Sequence, residues 1–351
     1  MFPPAACGQD TRTQTMRRRC PNLSPLACLV LILLGPTARG ADDPLPSWNE
    51  APPRRAVLDF VARVTREGSP DFVRPEDRIA VFDNDGTLWC EQPEYVQAVF
   101  VRDRVRALAP EHPEWKGTQP FKALLEADRK TLAELGERGM VDLVLATHAG
   151  MTDEDFARLV RDWTATARHP RFDRLYTQCV YQPMLELLAY LRANGFETFI
   201  VSGGGVEFMR AWSTGIYGIP PERVIGSTIR TRYELRGDEP VLMRLPEVDF
   251  VDDKAGKPVA IGKFVGKRPI AAFGNSDGDY EMLRYVTSGP GARLGLVVHH
   301  TDAEREYAYD RNSPVGRLAR ALDEAAERGW TVVDMRRDWR QVFGVSVPAG
   351  N

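Results

Sequence analysis

Two aspartates, Asp83 and Asp85, directly follow the apolar run Ile79–Phe82. A continuous apolar run bounded by turn residues is typical of a strand buried on both faces of a parallel sheet. Side chains alternate along an extended chain, so carboxylates two residues apart point to the same side. One can then act as nucleophile and metal ligand while the other exchanges a proton. A solvated turn explains either residue alone, but not paired acids at the end of a buried strand.

Two glycine-containing segments offer backbone N–H groups for an anion. Gly86 and Thr87 follow the acids, and their N–H groups are candidates for substrate binding. Ser202-Gly203-Gly204-Gly205 follows the apolar run Phe196–Val201 and precedes a helical pattern, which is typical of an anion cradle. A dinucleotide fingerprint does not fit there, because position 208 is Phe instead of Gly. Glycines used only for close packing remain the alternative.

A lysine and a further pair of polar residues come later in the chain. Lys257 precedes Pro258, which suits the first position of a helix, so the ammonium group is predicted at a helix mouth. Lys254 is an open alternative, whereas Lys263 is predicted on the helix surface. Asn275 and Asp279 follow the apolar run Pro269–Phe273, in the sequence Gly-Asn-Ser-Asp-Gly-Asp.

In chain order, these four segments resemble the four motifs of the haloacid dehalogenase (HAD) superfamily, in its phosphoserine-phosphatase-like branch. Asp83-Asn84-Asp85-Gly86-Thr87-Leu88 matches the first motif at every defined position. Asn275 departs from the fourth motif, which has an acid there. An amide oxygen can ligate Mg²⁺ but brings no charge.

The resemblance implies an Mg²⁺-dependent phosphomonoester hydrolase acting through an aspartyl-phosphate. Asp83 would be the nucleophile, Asp85 the proton carrier, and Ser202, Lys257 and Gly203 the phosphate-binding groups. The implied metal-site residues are Asp83, Asp85, Asn275 and Asp279, with Asp279 holding a metal-bound water or orienting the lysine. The presence of Asp85 favours phosphatase chemistry over carbon–halogen hydrolysis. The alternative is a degenerate HAD-fold protein that binds phosphorylated ligands or a partner without turnover.

The implied fold class is α/β, with a doubly wound, mainly parallel, Rossmann-like sheet. Residues 41–90 and 173–351 would form this core, because alternating helix and strand patterns occupy most of them. Residues 91–172 show helical periodicity and no buried-strand run, which predicts an inserted helical cap. Val315–Glu327 is predicted as a helix, and Val224–Leu245 as short strands around a turn.

The substrate would be a small phosphorylated molecule, either phosphoserine-like or one of many esters. Glu91, Glu94 and Tyr95 are candidates for contacting an amine-bearing ester. The net charge of −3 gives no indication of nucleic-acid binding. His299 and His300 lack metal-type spacing and are interpreted as structural, and His148 as a cap residue, on the surface rather than facing substrate.

Residues 1–40 have the pattern of a secretory signal peptide, with the true start possible at Met16. Arg17-Arg18-Arg19 precede a short apolar run, which is followed by the small-x-small site Ala38-Arg39-Gly40. Cleavage after Gly40 would remove five Arg and one Asp, so the net charge would fall from −3 to −7. We therefore expect an exported protein, periplasmic or secreted, with no stable membrane anchor after cleavage. An uncleaved N-terminal anchor is the alternative.

Cleavage would leave two of the five cysteines, Cys90 and Cys179. Both are predicted near the active edge of the sheet, and disulfide pairing between them is a hypothesis suited to an exported protein.

Overall fold

The structure, a computed structural model, describes residues 43–344. The predicted signal peptide lies outside the described residues. Within the described residues, seven strands form one sheet in the order β4-β3-β2-β1-β5-β6-β7. Adjacent strands are parallel except for β4, which runs antiparallel to β3 at one edge. The predicted mainly parallel, doubly wound α/β fold is therefore confirmed.

The seven strands differ in length. The antiparallel pair β3 and β4 is longest, with 13 and 12 residues, β2 has nine, and the remaining strands have four to six. Their bounds are β1 Ile79–Phe82, β2 Glu197–Gly205, β3 Val224–Arg236, β4 Glu239–Phe250, β5 Ala271–Gly274, β6 Leu294–His299 and β7 Thr331–Asp334.

Successive residues of β1 pack into different apolar cores on the two faces of the sheet. Ala80 and Phe82 belong to one core, and Ile79 and Val81 to the other. Phe82 stacks on Phe273 of β5, with ring centroids 4.3 Å apart. Burial on both faces explains why the sequence of this strand is a continuous apolar run instead of an alternation of apolar and polar residues.

Helices cover both faces of the sheet and fill the segment after β1. Their bounds are α1 Pro52–Thr65, α2 Val96–Leu108, α3 Phe121–Leu125, α4 Arg129–His148, α5 Asp153–Thr164, α6 Gln182–Ala193, α7 Val206–Arg210, α8 Ser213–Tyr217, α9 Gly256–Ala260, α10 Tyr280–Thr287, α11 Arg320–Glu324 and α12 Met335–Asp338. None of these helices is long and apolar enough to cross a membrane.

The segment from 91 to 172 contains helices and no strand of the sheet. It has an apolar cluster of its own, in which Val101 and Val105 of α2 pack with Trp115, Leu124 and Leu143. The β3–β4 hairpin packs against this segment: the Arg244 N–H donates to the Met151 carbonyl at 2.9 Å. The sequence does not predict this contribution of the hairpin.

Two elements differ from the sequence-based expectations. The strands around Gly237 are long, because they form a hairpin that extends beyond the parallel sheet. The helix predicted over Val315–Glu327 is limited to α11, so that prediction was too long. Gly316 has φ +65° and is not helical, and the helix begins where Asp277 accepts the Ala319 and Ala321 N–H groups.

Candidate active site

Lys257 joins the first and fourth motifs through two short ion pairs. Its Nζ lies 2.6 Å from Asp83 Oδ1 and 2.6 Å from Asp279 Oδ1. All three side chains are buried. Burial alone would lower the pKa of Lys257, but the two carboxylates more than offset this effect and raise it. The lysine is therefore held charged beside Asp83.

The structure decides between the candidate lysines. Lys257 is the second residue of α9, so Pro258 is not at the first helical position as predicted. Lys254 is exposed, and Asp253, at 3.6 Å, is its one ion-pair partner between residues 43 and 344. Lys263 is exposed in the π-helical turn that follows α9. Lys257 is thus the lysine that reaches the two aspartates.

Asp85 lies in the same cavity with its two oxygens in different surroundings. Oδ1 accepts a hydrogen bond from Trp89 Nε1 at 2.8 Å. Oδ2 faces the glycine segment: a Cβ added at Gly204 would lie 3.8 Å from it. Burial raises the pKa of Asp85 to about 6, although the Trp89 hydrogen bond lowers it. Such a carboxyl can hold or release a proton near neutral pH.

Ser202 is buried at the far end of β2, next to the same cavity. Its Oγ accepts a hydrogen bond from the Gly204 N–H at 3.2 Å. Ser202 and Gly203 both line the cavity that Asp83, Asp85 and Lys257 also line. The glycine segment is part of the extended strand rather than a tight turn, and the Gly203 carbonyl is fixed by Ser227 Oγ at 2.8 Å.

The expectation for Gly86 and Thr87 was wrong. Their N–H groups donate within the loop, to the carbonyls of Trp89 at 2.9 Å and Asn84 at 3.2 Å, so they do not face an anion. The Thr87 hydroxyl donates to Asn275 Oδ1 at 3.0 Å. Gly86 is required for a different reason: its φ is +70°, and a Cβ there would lie 2.1 Å from Asn275 Nδ2.

Glu91 orients the amide of Asn275. Asn275 Nδ2 donates to Glu91 Oε1 at 2.6 Å, and the Tyr309 hydroxyl donates to the same oxygen at 2.8 Å. Burial, together with nearby Asp85 and Asp83, raises the pKa of Glu91 well above its ordinary value. The sequence indicates Glu91 only as a possible contact for an amine. Tyr309 could not be predicted, because it lies in a loop after β6 that has no motif.

The donor atoms around Asp83 fit a hard divalent cation. Asp83, Asp85, Glu91 and Asp279 surround the site, and Lys257 is the one cation that pairs with any of them in residues 43–344. Burial and then Asp279 raise the pKa of Asp83 well above its ordinary value, which reports this excess of negative charge. Carboxylate, carbonyl and amide oxygens are the donors that such a cation prefers.

Of the two roles expected of Asp279, the structure shows the one in which it orients Lys257, and neither of its oxygens is left free to bind a metal directly. Its Oδ1 pairs with Lys257, and its Oδ2 accepts the N–H groups of Asn275 and Ser276 at 2.9 and 3.0 Å. Both oxygens are therefore used in orienting the lysine and the fourth-motif loop. Within 43–344 no three His, Cys, Asp or Glu side chains form a metal-type cluster. The residues that would hold a metal are thus Asp83, the Asp85 carbonyl and Asn275.

His148 is buried and lines the cavity, so its predicted surface position was wrong. Gln97 links it to the glycine segment: Gln97 Nε2 lies 3.0 Å from His148 Nε2, and Gln97 Oε1 accepts the Gly205 N–H at 2.7 Å. Burial and then Arg244 lower the pKa of His148 to about 3, so it is neutral. Gln97 was missed because a glutamine on a helix carries no sequence signal.

The remaining histidines and cysteines have structural contacts. His300 is buried and its Nε2 donates to the Gly86 carbonyl at 2.8 Å, which holds the first-motif loop. His299 lies 3.4 Å from Asp310. Cys90 and Cys179 are both buried free thiols, and their backbones meet through a 3.0 Å hydrogen bond. The hypothesised disulfide does not join them in this structure, and both pack in the apolar core.

Comparison with known proteins identifies the family. The model of haloacid dehalogenase-like hydrolases matches residues 80–284, which include all four motifs. The chain belongs to the haloacid dehalogenase-like hydrolase family. No curated protein matches it in sequence.

Several solved structures are similar to this HAD chain. A conserved protein of unknown function from Anaerococcus prevotii DSM 20548 has 18% identity over 71% of this chain and 85% of its own, with TM-score 0.48. A protein of unknown function from Bordetella pertussis Tohama I has 16% identity over 74% and 98%, with TM-score 0.48. A phosphoserine phosphohydrolase-like protein from Francisella tularensis has 17% identity over 71% and 98%, with TM-score 0.36. At these values the similarities carry no argument about activity.

Proposed function

We propose that this HAD-family chain is a phosphomonoester hydrolase of the phosphoserine-phosphatase-like type, acting through an aspartyl-phosphate on Asp83. The observation that carries the proposal is the placement of Lys257 between Asp83 and Asp279, with Asp85 on the same cavity. A fixed ammonium group beside a carboxylate nucleophile can offset the charge that develops on a transferring phosphoryl group.

In the first step, Asp83 attacks phosphorus and the bond to the alcohol oxygen breaks. Lys257 holds Asp83 Oδ1, so Oδ2 is the attacking atom. Protonated Asp85 gives its proton to the leaving alcohol oxygen from Oδ2, because Oδ1 is engaged by Trp89. Ser202 and the Gly203 N–H bind the phosphoryl oxygens.

In the second step, Asp85 is a carboxylate and accepts a proton from the attacking water. The water opens the acyl phosphate on Asp83, which releases inorganic phosphate and restores both carboxyl groups. Asp83 is buried, which limits the access of bulk water to the intermediate.

The proposal includes Mg²⁺, held by Asp83, the Asp85 carbonyl and Asn275. When bound, the cation neutralises charge on the phosphoryl oxygens as a Lewis acid. Glu91 supports this arrangement because it fixes which way the Asn275 amide points.

Hydrolysis of p-nitrophenyl phosphate tests the proposal. We expect Mg²⁺-dependent turnover that falls more than about 1,000-fold in Asp83→Asn. Lys257→Gln should also lose most activity, whereas the matched control Lys254→Gln, at an exposed lysine, should retain it. If the folded protein shows no turnover with any divalent metal, the proposed phosphatase function is rejected.

That negative result would support the alternative, a degenerate HAD-fold protein that binds phosphorylated ligands without turnover. Asn275 is the observation in its favour, because the amide brings one negative charge less to the metal site. Binding of inorganic phosphate without hydrolysis of any ester would distinguish the two functions.

We further propose that the protein is exported and acts in the periplasm or outside the cell. The support is the sequence pattern of residues 1–40 alone. The mass of the protein recovered from its producing cells tests this: a mature chain that begins at Ala41 supports export, and an intact Arg17–Gly40 segment contradicts cleavage.

A further inference from the structure

A cavity of about 850 Å³ extends from the catalytic groups into the space between helices and hairpin. Asp83, Asp85, Ser202 and Lys257 line one end of it. The rest lies between α2 and α4 on one side and the β3–β4 hairpin on the other. Its volume is in the upper part of the range of about 300–1,000 Å³ in which pockets enclose drug-sized ligands. A phosphoserine molecule would leave most of it empty.

Apolar side chains lie on both walls of the part of the cavity away from the catalytic groups, beside acidic residues such as Glu137 and Asp249. The apolar side chains are Val101, Met140, Val141, Val144, Leu145, Ile229, Leu242, Val248 and Val251. Ten large apolar or aromatic side chains are exposed in residues 43–344. Five of these ten line the cavity: Tyr95, Met140, Leu242, Val248 and Val251. Exposed apolar side chains that gather in one concave surface indicate a ligand-binding groove.

The arginines on the cavity wall are already paired with carboxylates. Arg210 lies 2.7 Å from Glu207, and Arg230 lies 3.1 Å from Glu247. Arg244 is buried and lies 2.8 Å from Asp153. Each lining arginine in residues 43–344 therefore already has a carboxylate partner, and an anionic group on the alcohol part of a substrate would have to compete with that carboxylate. This distribution disfavours phosphoserine, sugar bisphosphates and nucleoside diphosphates.

We infer that the substrate is a phosphomonoester whose alcohol part is large, apolar and uncharged, such as a long-chain or alkylaryl alcohol. The inference rests on the proposed phosphatase function and specifies its substrate class. The phosphate lies at Lys257 and Ser202, and the alcohol part lies between α4 and the hairpin. Burial of its apolar surface supplies the binding free energy that a smaller ester lacks.

A series of 4-alkylphenyl phosphates separates the size of the alcohol from its reactivity. Phenyl, 4-ethylphenyl, 4-butylphenyl and 4-hexylphenyl phosphate have leaving groups of similar acidity. Measured below their aggregation concentrations, kcat/KM should rise about two- to fourfold for each methylene, mainly through KM. Phosphoserine should be a poorer substrate than phenyl phosphate. A flat or falling series would overturn the inference.

A pair of variants on the hairpin tests whether this cavity causes the rise. Leu242 lines the cavity and is 45% exposed, whereas Leu235 on the same hairpin is 61% exposed and does not line it. Leu242→Gln should reduce the advantage of the hexyl ester over phenyl phosphate about three- to tenfold. The control Leu235→Gln should keep it. Equal effects in the two variants would contradict the assignment.

Binding to Asp83→Asn distinguishes this inference from the proposed function. Calorimetry with the same four esters measures affinity without turnover. Affinity that rises with chain length supports the substrate class, even where wild-type protein hydrolyses no ester and the phosphatase proposal itself fails. If the protein hydrolyses phenyl phosphate but its affinity does not depend on the length of the alkyl chain, the phosphatase proposal stands and the inferred substrate class is rejected.

Discussion

Asn275 shows how a motif residue can be predicted while its environment is not. The sequence places an amide where the fourth HAD motif has an acid, and the structure shows what accompanies it. Glu91 accepts a hydrogen bond from the amide at 2.6 Å, and Thr87 donates to its oxygen at 3.0 Å. The carboxylate missing from position 275 is thus present one side chain away, on a residue that is distant in sequence.

Replacing Asn275 with Asp tests this arrangement. In EDTA, Asn275→Asp should have a lower melting temperature than wild type, because a second carboxylate would then face Glu91 without a cation between them. Mg²⁺ should raise the melting temperature of the variant more than that of wild type, since an added anionic ligand strengthens the site. Equal Mg²⁺ shifts in the two proteins, measured by calorimetry, would contradict the placement of Asn275 at the metal.

His148 provides a pH-dependent contribution to stability. Its pKa is about 3 in the folded protein and about 6.5 in the unfolded chain, so the unfolded chain binds the proton first as pH falls. The folded state should therefore lose about 2 kcal/mol between pH 7 and pH 5 through this residue. Between the same two pH values, the free energy of unfolding of His148→Gln should fall by about 2 kcal/mol less than that of wild type, as measured by urea unfolding. An unchanged pH dependence would show that His148 is not held neutral.

At the level of elements, Arg244 connects the hairpin to the helical segment that covers the site. Its Nε donates to the His148 carbonyl at 2.7 Å, and its Nη1 lies 2.8 Å from Asp153. The guanidinium also lies over the Phe156 ring, 4.3 Å from its centroid. The wall of the cavity opposite the catalytic groups is therefore built by two elements that are far apart in sequence.

Arg244→Ala should lower the free energy of unfolding by about 2 kcal/mol, because it removes charge-assisted hydrogen bonds from a buried position. Arg232→Ala is the matched control on the same hairpin: Arg232 is exposed and pairs with half-buried Glu234. Its loss should be below about 0.5 kcal/mol. Urea denaturation of both variants measures the difference, and similar losses would show that Arg244 does not connect the two elements.

Across the whole molecule, the sequence predicts the parts that local pattern determines. The buried strands that end at Asp83, Ser202 and Asn275 are visible because each apolar run stops at polar groups. Chain order and parallel pairing then bring these ends to one edge of the sheet. The hairpin wall, the Gln97–His148 contact and Tyr309 were not predictable, because tertiary packing positions them and no local pattern marks them.

The proposed function depends most directly on the chemical state of Asp83 during turnover. Chemical quenching of the protein during hydrolysis of p-nitrophenyl phosphate, followed by borohydride reduction, converts an aspartyl-phosphate into homoserine. Peptide mass spectrometry should then find homoserine at position 83, and Asp85→Asn, whose second step is slowed, should accumulate more of it than wild type. Turnover that continues without modification at Asp83, or with modification at another carboxylate, would contradict the mechanism.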